Sequence, residues 1–182
     1  IPEYSIFDIA NLRSNRKFAL YYGGILHLQD IPADFTLSDA MQIQVEAELT
    51  GRKFIHTRNI REFLSKISEP IGFMDFETFM EPVPSFDYQR PYQQIPFQYS
   101  LHISEDGNLA HHEFLGEPGI DPRQAFIEKL LEDTSSCRTI LVYNQAFEIT
   151  RLQEIAKKFP GFAERVESII ARIVDLMEPF RN

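Results

Sequence analysis

The sequence has little of what marks disulfide-rich, zinc-binding or membrane-spanning proteins. Its 182 residues include one cysteine, Cys137, so neither an internal disulfide nor a cysteine-based zinc site can form within the chain. No apolar run approaches the roughly 18 residues that a membrane span needs. No basic and then apolar leader opens the chain. We therefore expect a cytoplasmic protein that does not enter a membrane.

Positive charge is also scarce. The chain has 18 Lys and Arg against 27 Asp and Glu, a net charge of −9. Residues 1–69 carry 8 basic and 9 acidic residues and residues 70–182 carry 10 and 18, so the net charges are −1 and −8. This balance argues against a broad electrostatic nucleic-acid footprint. It is compatible with a metal-dependent nuclease, whose clustered carboxylates are offset by divalent ions.

The overall composition is that of a globular protein, with 43% hydrophobic and 25% charged residues. The pattern changes at Glu69-Pro70, which predicts a helical N-terminal region over residues 1–69 and a second domain over residues 70–182. Gly24-Ile25 resembles the turn of a helix-hairpin-helix linker. The first region contains four predicted helices, at Ser5–Leu12, Asn15–Tyr22, Thr36–Leu49 and Asn59–Ile67.

The second region alternates strand and helix patterns. The turn residues 105–108 predict a hairpin, and three helices are predicted over residues 121–132, 146–159 and 162–170. The order β-β-β-α-β-α-α-β predicts an α/β domain with a mixed sheet flanked by helices. The predicted strands are Ile71–Glu77, Pro96–Ile103, Leu109–Leu115, Thr139–Tyr143 and Ile173–Leu176.

Two carboxylates lie two residues apart near the end of the first predicted strand. Side chains alternate between the faces of a strand, so Asp75 and Glu77 share one face, and Met74 and Phe76 share the other. Adjacent carboxylates repel each other, and a hard cation such as Mg²⁺ or Mn²⁺ removes that cost. The alternative is a strand end that carries two solvated acids.

A third acid continues the apolar stripe of the helix at 146–159. Glu148 is followed on this stripe by Leu152, Ile155 and Phe159, at spacings of four, three and four. An acid there points toward the strand ends, where ligands bind in α/β sheets. Alternatively, Glu148 interacts with the helix dipole or pairs with Arg151.

The roles of Asp175 and of the loop Glu81–Gln98 each have two interpretations. Asp175 is a third carboxylate of a site or a structural partner. The loop Glu81–Gln98 combines aromatic residues with Arg90, Gln93 and Gln94, which suits a single-stranded end. Alternatively, it is a proline-rich loop held on the domain by its aromatics. Asn144 is predicted as a helix N-cap. The histidines near the core, His102, His111 and His112, are interpreted as structural or surface residues.

Two segments resemble the motifs of DnaQ-like DEDD exonucleases, which belong to the ribonuclease H-like superfamily. "GFMDFET" resembles the first motif, Asp-x-Glu-Thr, and "LVYNQAFEITRL" resembles the second, in which an acid follows Asn by four residues. Glu148 stands where the classical motif has Asp, as in bacterial ribonuclease H-like domains that follow RecB-like nuclease modules. Over residues 70–182 the chain is more similar to a bacterial family labelled only as a domain of unknown function, at "DFETF…PYQQIPFQYSLH", "YNQAFE" and "VDLMEPFR".

The resemblance implies a ribonuclease H-like fold and a 3′–5′ exonuclease that acts on a DNA or RNA 3′ end. Asp75, Glu77 and Glu148 would bind two Mg²⁺ or Mn²⁺ ions ~4 Å apart, with Asp175 as a further catalytic acid. The last DEDD acid and its general base would lie beyond Asn182, so we expect a domain truncated at its C-terminus, with a RecB-like nuclease domain in the same full-length chain. The expected substrate-binding residues are Thr78, Phe79, Arg90, Tyr92, Gln98 and Asn144.

Two other classes of function are compatible with the sequence. One is a catalytically inactive module that binds nucleic acid beside a neighbouring nuclease domain. The other is a structural domain that contacts other parts of its own chain. Neither needs three acids at the ends of sheet strands, and this grouping favours the enzyme.

Overall fold

The computed structural model describes residues 2–181, and these form two compact units. One unit runs to Asn59, and the other runs from Ile60 to Phe180. Helix α3 (Thr57–Leu64) crosses the boundary between them. Ile1 and Asn182, the outer bounds of the two predicted domains, lie outside the described residues. Independent folding of residues 70–182 stays a prediction.

The first unit contains two α-helices, α1 (Ser14–Tyr22) and α2 (Asp39–Thr50). The predicted helix Ser5–Leu12 was wrong in length. Only Ile6–Asp8 forms a turn of 3₁₀-helix, because the backbone becomes extended at Ile9 and Asn11 has a positive φ of 59°. A second 3₁₀ turn, Leu28–Asp30, follows Gly24-Ile25. Helix α2 begins at Asp39 because the side chain of Ser38 caps it. The core of this unit consists of Ile6, Ile9, Leu12, Leu20 and Leu28.

The second unit is built on a five-stranded mixed sheet in the order β3-β2-β1-β4-β5. The central strand β1 is antiparallel to β2 and parallel to β4, and β5 is parallel to β4. The predicted hairpin is confirmed, because β2 and β3 are antiparallel and Glu105 pairs with Asn108. The strands are β1 (Ile71–Phe79), β2 (Ile95–Glu105), β3 (Asn108–Leu115), β4 (Thr139–Val142) and β5 (Ile173–Asp175).

Helices flank this sheet, as the sequence predicted. They are α4 (Arg123–Asp133), α5 (Ala146–Lys158) and α6 (Ala163–Ile170). The short α7 (Glu178–Arg181) follows β5 in the chain. A single apolar core joins Met74 and Phe76 of β1 to Phe126 of α4, Leu152 of α5 and Ile169 of α6. Burial of these side chains supplies the main drive for folding. The predicted α/β class with a mixed sheet is confirmed.

The differences from the predicted helix and strand ends are small. Both β1 and β2 extend two residues beyond their predicted C-terminal ends, and α4 begins at Arg123 rather than at Pro122. Asp121 still accepts a hydrogen bond from the Arg123 backbone N–H at 3.2 Å, as a residue that caps the helix would. Helix α7 was not predicted. In residues 2–181 no helix is both long and apolar enough to cross a bilayer.

Candidate functional site

The two carboxylates of β1 lie on the face that the strand period predicted. Asp75 and Glu77 are exposed, whereas Met74 and Phe76 are buried in the core. The Oδ1 atom of Asp75 accepts a hydrogen bond from the backbone N–H of Phe76 at 3.1 Å. Both acids stand at the C-terminal half of the central strand, beyond Phe73, the last residue of β1 that pairs with β4. They are therefore at the edge of the sheet where its parallel strands end.

Asp175 ends β5 at the same edge of the sheet. It is buried and lies level with Val142, the last residue of β4. Its Oδ1 accepts hydrogen bonds from the backbone N–H groups of Asn144 at 2.9 Å and Met177 at 3.0 Å. This carboxylate therefore fixes the chain after β4 and after β5, which is the structural role that the sequence left open.

The predicted N-cap role of Asn144 is wrong, because the N-cap of α5 is Gln145. Asn144 instead has a positive φ of 70°, in the left-handed region that asparagine tolerates. Its backbone N–H is directed at Asp175 and its carbonyl accepts from Phe147, so this residue forms the turn between β4 and α5. The turn places Glu148 in the first turn of the helix.

Glu148 is the most unusual acid of this region. Its side chain is 2% exposed, on the buried stripe with Leu152 and Ile155. Among residues 2–181 its Oε2 atom has no hydrogen-bond partner. Burial is the main cause that raises the pKa of Glu148 to about 7, and the charges of Asp75 and Asp175 raise it further. The charges of Asp75 and Asp175 therefore disfavour the ionised form of Glu148.

The alternative partner for Glu148, Arg151, is engaged elsewhere. Arg151 pairs with Glu154 at 3.1 Å, donates to the side-chain oxygen of Gln94, and stands over the ring of Phe147 at 5.7 Å. The ion pair with Glu148 that the i,i+3 spacing allowed is not among the interactions of residues 2–181. Within the described part of the chain, no salt bridge joins the buried carboxylate of Glu148 to a cation.

The donor atoms at this edge fit a hard divalent cation in chemistry. Carboxylate oxygens are what Mg²⁺ and Mn²⁺ prefer, and Oε2 of Glu148 lacks a partner within the described part of the chain. The side chains are not gathered around one point, because no group of three His, Cys, Asp or Glu residues within 2–181 is arranged to hold a metal ion. Asp75, Glu77 and Glu148 are the residues that could supply the ligands.

Three of the predicted substrate contacts lie around the end of β1. Gln98 is exposed on β2 and pairs in register with Glu77. The register between β1 and β2 shifts after Glu77, where Phe97 is the extra residue of β2, and Thr78 is half-buried. Phe79 packs against Phe97, with ring centroids 5.9 Å apart. The structure thus brings Thr78, Phe79 and Gln98 next to Glu77.

The loop between β1 and β2 carries two more, and the sixth, Asn144, lies in the turn between β4 and α5. Arg90 pairs with Glu154 of α5 at 3.0 Å, and Tyr92 is 66% exposed with its backbone N–H on the carbonyl of Glu81. Phe86 packs on Phe79. The aromatic contacts therefore hold the loop on the domain, which is one of the two predicted roles. The exposed Tyr92 is compatible with the other, contact with a single-stranded end.

The sequence did not predict an apolar pocket at the end of β1. Its volume is about 370 Å³, and Glu117 is the one charged residue among those that line it. The pocket depends on the turn Gly116–Gly119, where Gly119 has a φ of +81°. The closely spaced glycines and Pro118 were the only local signal. Its apolar walls are formed by Phe79, Phe86, Phe97, Leu115, Ile120 and Pro122.

The histidines lie away from these acids in the hydrogen-bond network. His102 stacks on His111 with ring centroids 4.3 Å apart, and His111 is 3.1 Å from the Ser100 hydroxyl. His112 pairs with Asp133 at 3.3 Å. These contacts agree with the interpretation of the histidines as structural or surface residues.

Comparison with known proteins identifies relatives without describing an activity. A family model described as "Domain of unknown function (DUF2779)" matches residues 72–182. The "Uncharacterized protein MG366 homolog" of Mycoplasma pneumoniae is 29% identical over 125 residues, which are 63% of this chain and 19% of that protein. "Uncharacterized protein MG366" of Mycoplasma genitalium is 26% identical over 140 residues, 71% of this chain and 20% of that protein. The chain spans about a fifth of these relatives. No solved structure matches it.

Proposed function

We propose that this chain, which belongs to the family described as Domain of unknown function (DUF2779), provides the hydrolytic site of a metal-dependent nuclease. The reaction is the hydrolysis of phosphodiester bonds, in the manner of a 3′–5′ exonuclease of the DnaQ-like, ribonuclease H-like type. The substrate is a DNA or RNA 3′ end. The full-length protein would carry this domain beside a RecB-like nuclease domain.

The observation that carries the proposal is the buried carboxylate of Glu148. A buried acid normally has hydrogen-bond or cationic partners, because an unpaired one costs several kcal/mol. Glu148 has an oxygen with no partner among residues 2–181, and two more acids, Asp75 and Asp175, raise its pKa. This arrangement disfavours the charged form of Glu148 in the folded protein. A bound cation would offset the cost, which explains why the acids are placed together.

The position of these acids supports the same proposal. Asp75 and Glu77 lie beyond the pairing of β1 with β4, and Asp175 ends β5, so they share the edge at which ligands bind in α/β sheets. The chain order β-β-β-α-β-α-α-β is the order that the resemblance to ribonuclease H-like domains implies. Asp75, Glu77 and Glu148 would hold Mg²⁺ or Mn²⁺. Bound ions of this kind activate a water molecule and stabilise the leaving oxygen.

The neighbouring side chains suit the end of a nucleic-acid strand. Thr78 and Gln98 supply hydrogen-bonding groups beside Glu77. The apolar pocket next to Phe79 is about 370 Å³, within the size range of small-molecule sites. Its aromatic walls would stack on a base, and such stacking is tolerant of sequence.

The test is cleavage of a 3′-labelled single-stranded oligonucleotide by the full-length protein in Mn²⁺. Asp75→Asn keeps the size of the side chain and removes its charge, so we expect at least a hundredfold loss of cleavage. Glu132→Gln, which neutralises an exposed acid of α4, is the matched control and should leave the rate unchanged. Equal rates in the wild type and Asp75→Asn would contradict the proposal.

A second candidate function is favoured by the spacing of the acids. No three potential ligands in residues 2–181 are gathered around one point, which suits a module that binds nucleic acid or serves a structural role without cleavage. Such a module would give Mn²⁺-independent binding, or none, and the cleavage rate would not depend on Asp75.

A further inference from the structure

A cleft with an excess of positive charge lies between the β1–β2 loop and the C-terminal half of α5. Its volume is about 760 Å³, within the range of ligand sites. Among the residues that line it, Glu154 is the one acid. The cleft is formed by four basic residues and two aromatics: Arg90, Arg123, Lys157, Lys158, Tyr88 and Phe159.

The charge of the cleft is only partly neutralised. Arg90 pairs with Glu154, and Lys158 and Arg123 share Asp121 at 2.7 and 2.6 Å. Four cations against these two acids leave an excess of two positive charges, in a chain whose net charge is −9. Lys157 is exposed, and its side chain has no ion-pair or hydrogen-bond partner in residues 2–181. An anion could therefore bind without first displacing an acid from Lys157.

The walls of the cleft are held in place before any ligand arrives. Arg123 is 3% exposed and donates to the carbonyl of Asp87 at 3.2 Å, and Lys158 donates to the same carbonyl at 3.0 Å. The side-chain oxygen of Gln89 accepts from two backbone N–H groups of the loop, at 3.0 and 3.2 Å. A site that is already ordered loses less entropy on binding.

An aromatic ring stands at the mouth of the cleft. Tyr88 is 91% exposed and has a φ of +60°, a backbone conformation that is rare for a bulky residue. Deeper in the cleft, the ammonium of Lys158 lies 5.3 Å from the ring centroid of Phe159. Exposed rings beside basic groups are the combination that binds single-stranded nucleic acid, through base stacking and phosphate contacts.

We propose that this cleft binds the phosphates and one base of a single-stranded nucleic acid, away from the end that is cleaved. The assignment of the strand as a substrate rests on the proposed function. Lys157 follows Glu148 by nine residues on α5, which is about 14 Å along the helix axis, or about four steps of a stacked strand. The cleft would hold the strand while its 3′ end reaches the carboxylates.

The test is fluorescence anisotropy of labelled oligo(dT) of 12 nucleotides with the chain described here, in EDTA, so that binding is measured without metal or cleavage. Lys157→Glu should weaken binding at least tenfold and lower the salt slope. Arg165→Glu makes the same charge change at an exposed site on α6 and should change binding less than twofold. Tyr88→Ala should weaken binding about tenfold. Unchanged thermal unfolding of each variant excludes misfolding as the cause.

Three results would overturn the proposal: equal losses in Lys157→Glu and Arg165→Glu, no loss in Lys157→Glu, or a nucleoside triphosphate that displaces oligo(dT) at a lower concentration than unlabelled oligo(dT) does. The last would assign the cleft to free nucleotides. The binding assay contains no divalent metal and measures no cleavage. A failure of the hydrolytic proposal would therefore appear in the cleavage assay and leave this binding result intact.

Discussion

Two buried acids of the second unit are in opposite situations. Asp133, at the end of α4, is 7% exposed and accepts hydrogen bonds from the Tyr99 hydroxyl at 2.6 Å and from Lys129. Its Oδ1 also lies 3.3 Å from Nδ1 of His112. Glu148, at the start of α5, is 2% exposed, and its Oε2 has no partner among the described residues. The two side chains are similarly buried, but among the described residues the cationic partners belong to Asp133 and not to Glu148.

The difference separates a structural acid from a candidate functional one. Asp133 stabilises the packing of α4 on β2, since it accepts the hydrogen bond of the buried Tyr99 hydroxyl. Burial, and then this hydrogen bond, raise the pKa of Tyr99 above its usual value. Glu148 lowers the stability of the metal-free protein whenever it is ionised. Buried acids alone are therefore weak indicators of a site, and the missing partner is the informative feature.

The largest expected effect is that two conservative substitutions change the free energy of unfolding in opposite directions. Asp133→Asn should lower the free energy of unfolding by about 2 kcal/mol, because it removes charge-assisted hydrogen bonds. Glu148→Gln should raise it by on the order of 2 kcal/mol at pH 8 in EDTA, because the buried charge is lost. Urea unfolding of both variants measures these changes. A destabilised Glu148→Gln would mean that its carboxylate has a stabilising partner after all.

The pH dependence of that gain has a defined direction. The pKa of folded Glu148 is about 7 against an ordinary 4.5, so between these values the folded state binds more protons and stability falls as pH rises. The advantage of Glu148→Gln should therefore be absent below pH 4.5, grow up to about pH 7 and stay constant above it. Unfolding curves between pH 4 and 8 check this. If the stability difference between Glu148→Gln and the wild type does not vary with pH, its cause is packing and not the charge of Glu148.

The same titration should appear in metal binding. A proton on Glu148 competes with Mn²⁺, so the affinity should fall by up to about tenfold per pH unit below pH 7. The measurement is Mn²⁺ titration at pH 8, 7 and 6, with the slope compared between the wild type and Glu148→Gln. An identical slope in the two proteins would remove Glu148 from the set of ligands.

The smallest effect is expected for Asp175→Asn. Asp175 is buried like Asp133 and Glu148, and its known partners are backbone N–H groups. Its Oδ1 accepts two backbone N–H groups, and asparagine offers an equivalent oxygen. Asp175→Asn should therefore cost less than about 1 kcal/mol of stability, whereas Asp175→Ala should cost about 2 kcal/mol. If Asp175→Asn folds normally and also loses Mn²⁺ affinity, Asp175 is a metal ligand as well as a structural residue.

Local periodicity predicted most of the elements around the site. The strand alternation placed Asp75 and Glu77 on one face, the turn residues at 105–108 placed the hairpin, and the helical spacing placed Glu148 with Leu152 and Ile155. Each of these patterns depends on residues within one element. They could therefore be interpreted without knowledge of the sheet order.

Features set by distant residues could not be predicted in this way. Asn144 has a left-handed conformation where its backbone N–H bonds to Asp175, 31 residues away. Arg151 bonds to Gln94, 57 residues away, and this leaves Glu148 without the partner that local spacing allowed. The basic cleft likewise joins the β1–β2 loop to α5. Contacts between residues far apart in the sequence therefore determined the conformation of Asn144 and the partners of Arg151.

The most direct test of the account is calorimetric titration of Mn²⁺ into the full-length protein at pH 8. The account predicts that Asp75→Asn and Glu148→Gln each lose at least one site that the wild type and the control Glu132→Gln retain. The same number and affinity of sites in all four proteins would contradict it, because no metal would then be bound by the acids at the end of β1 and in the first turn of α5.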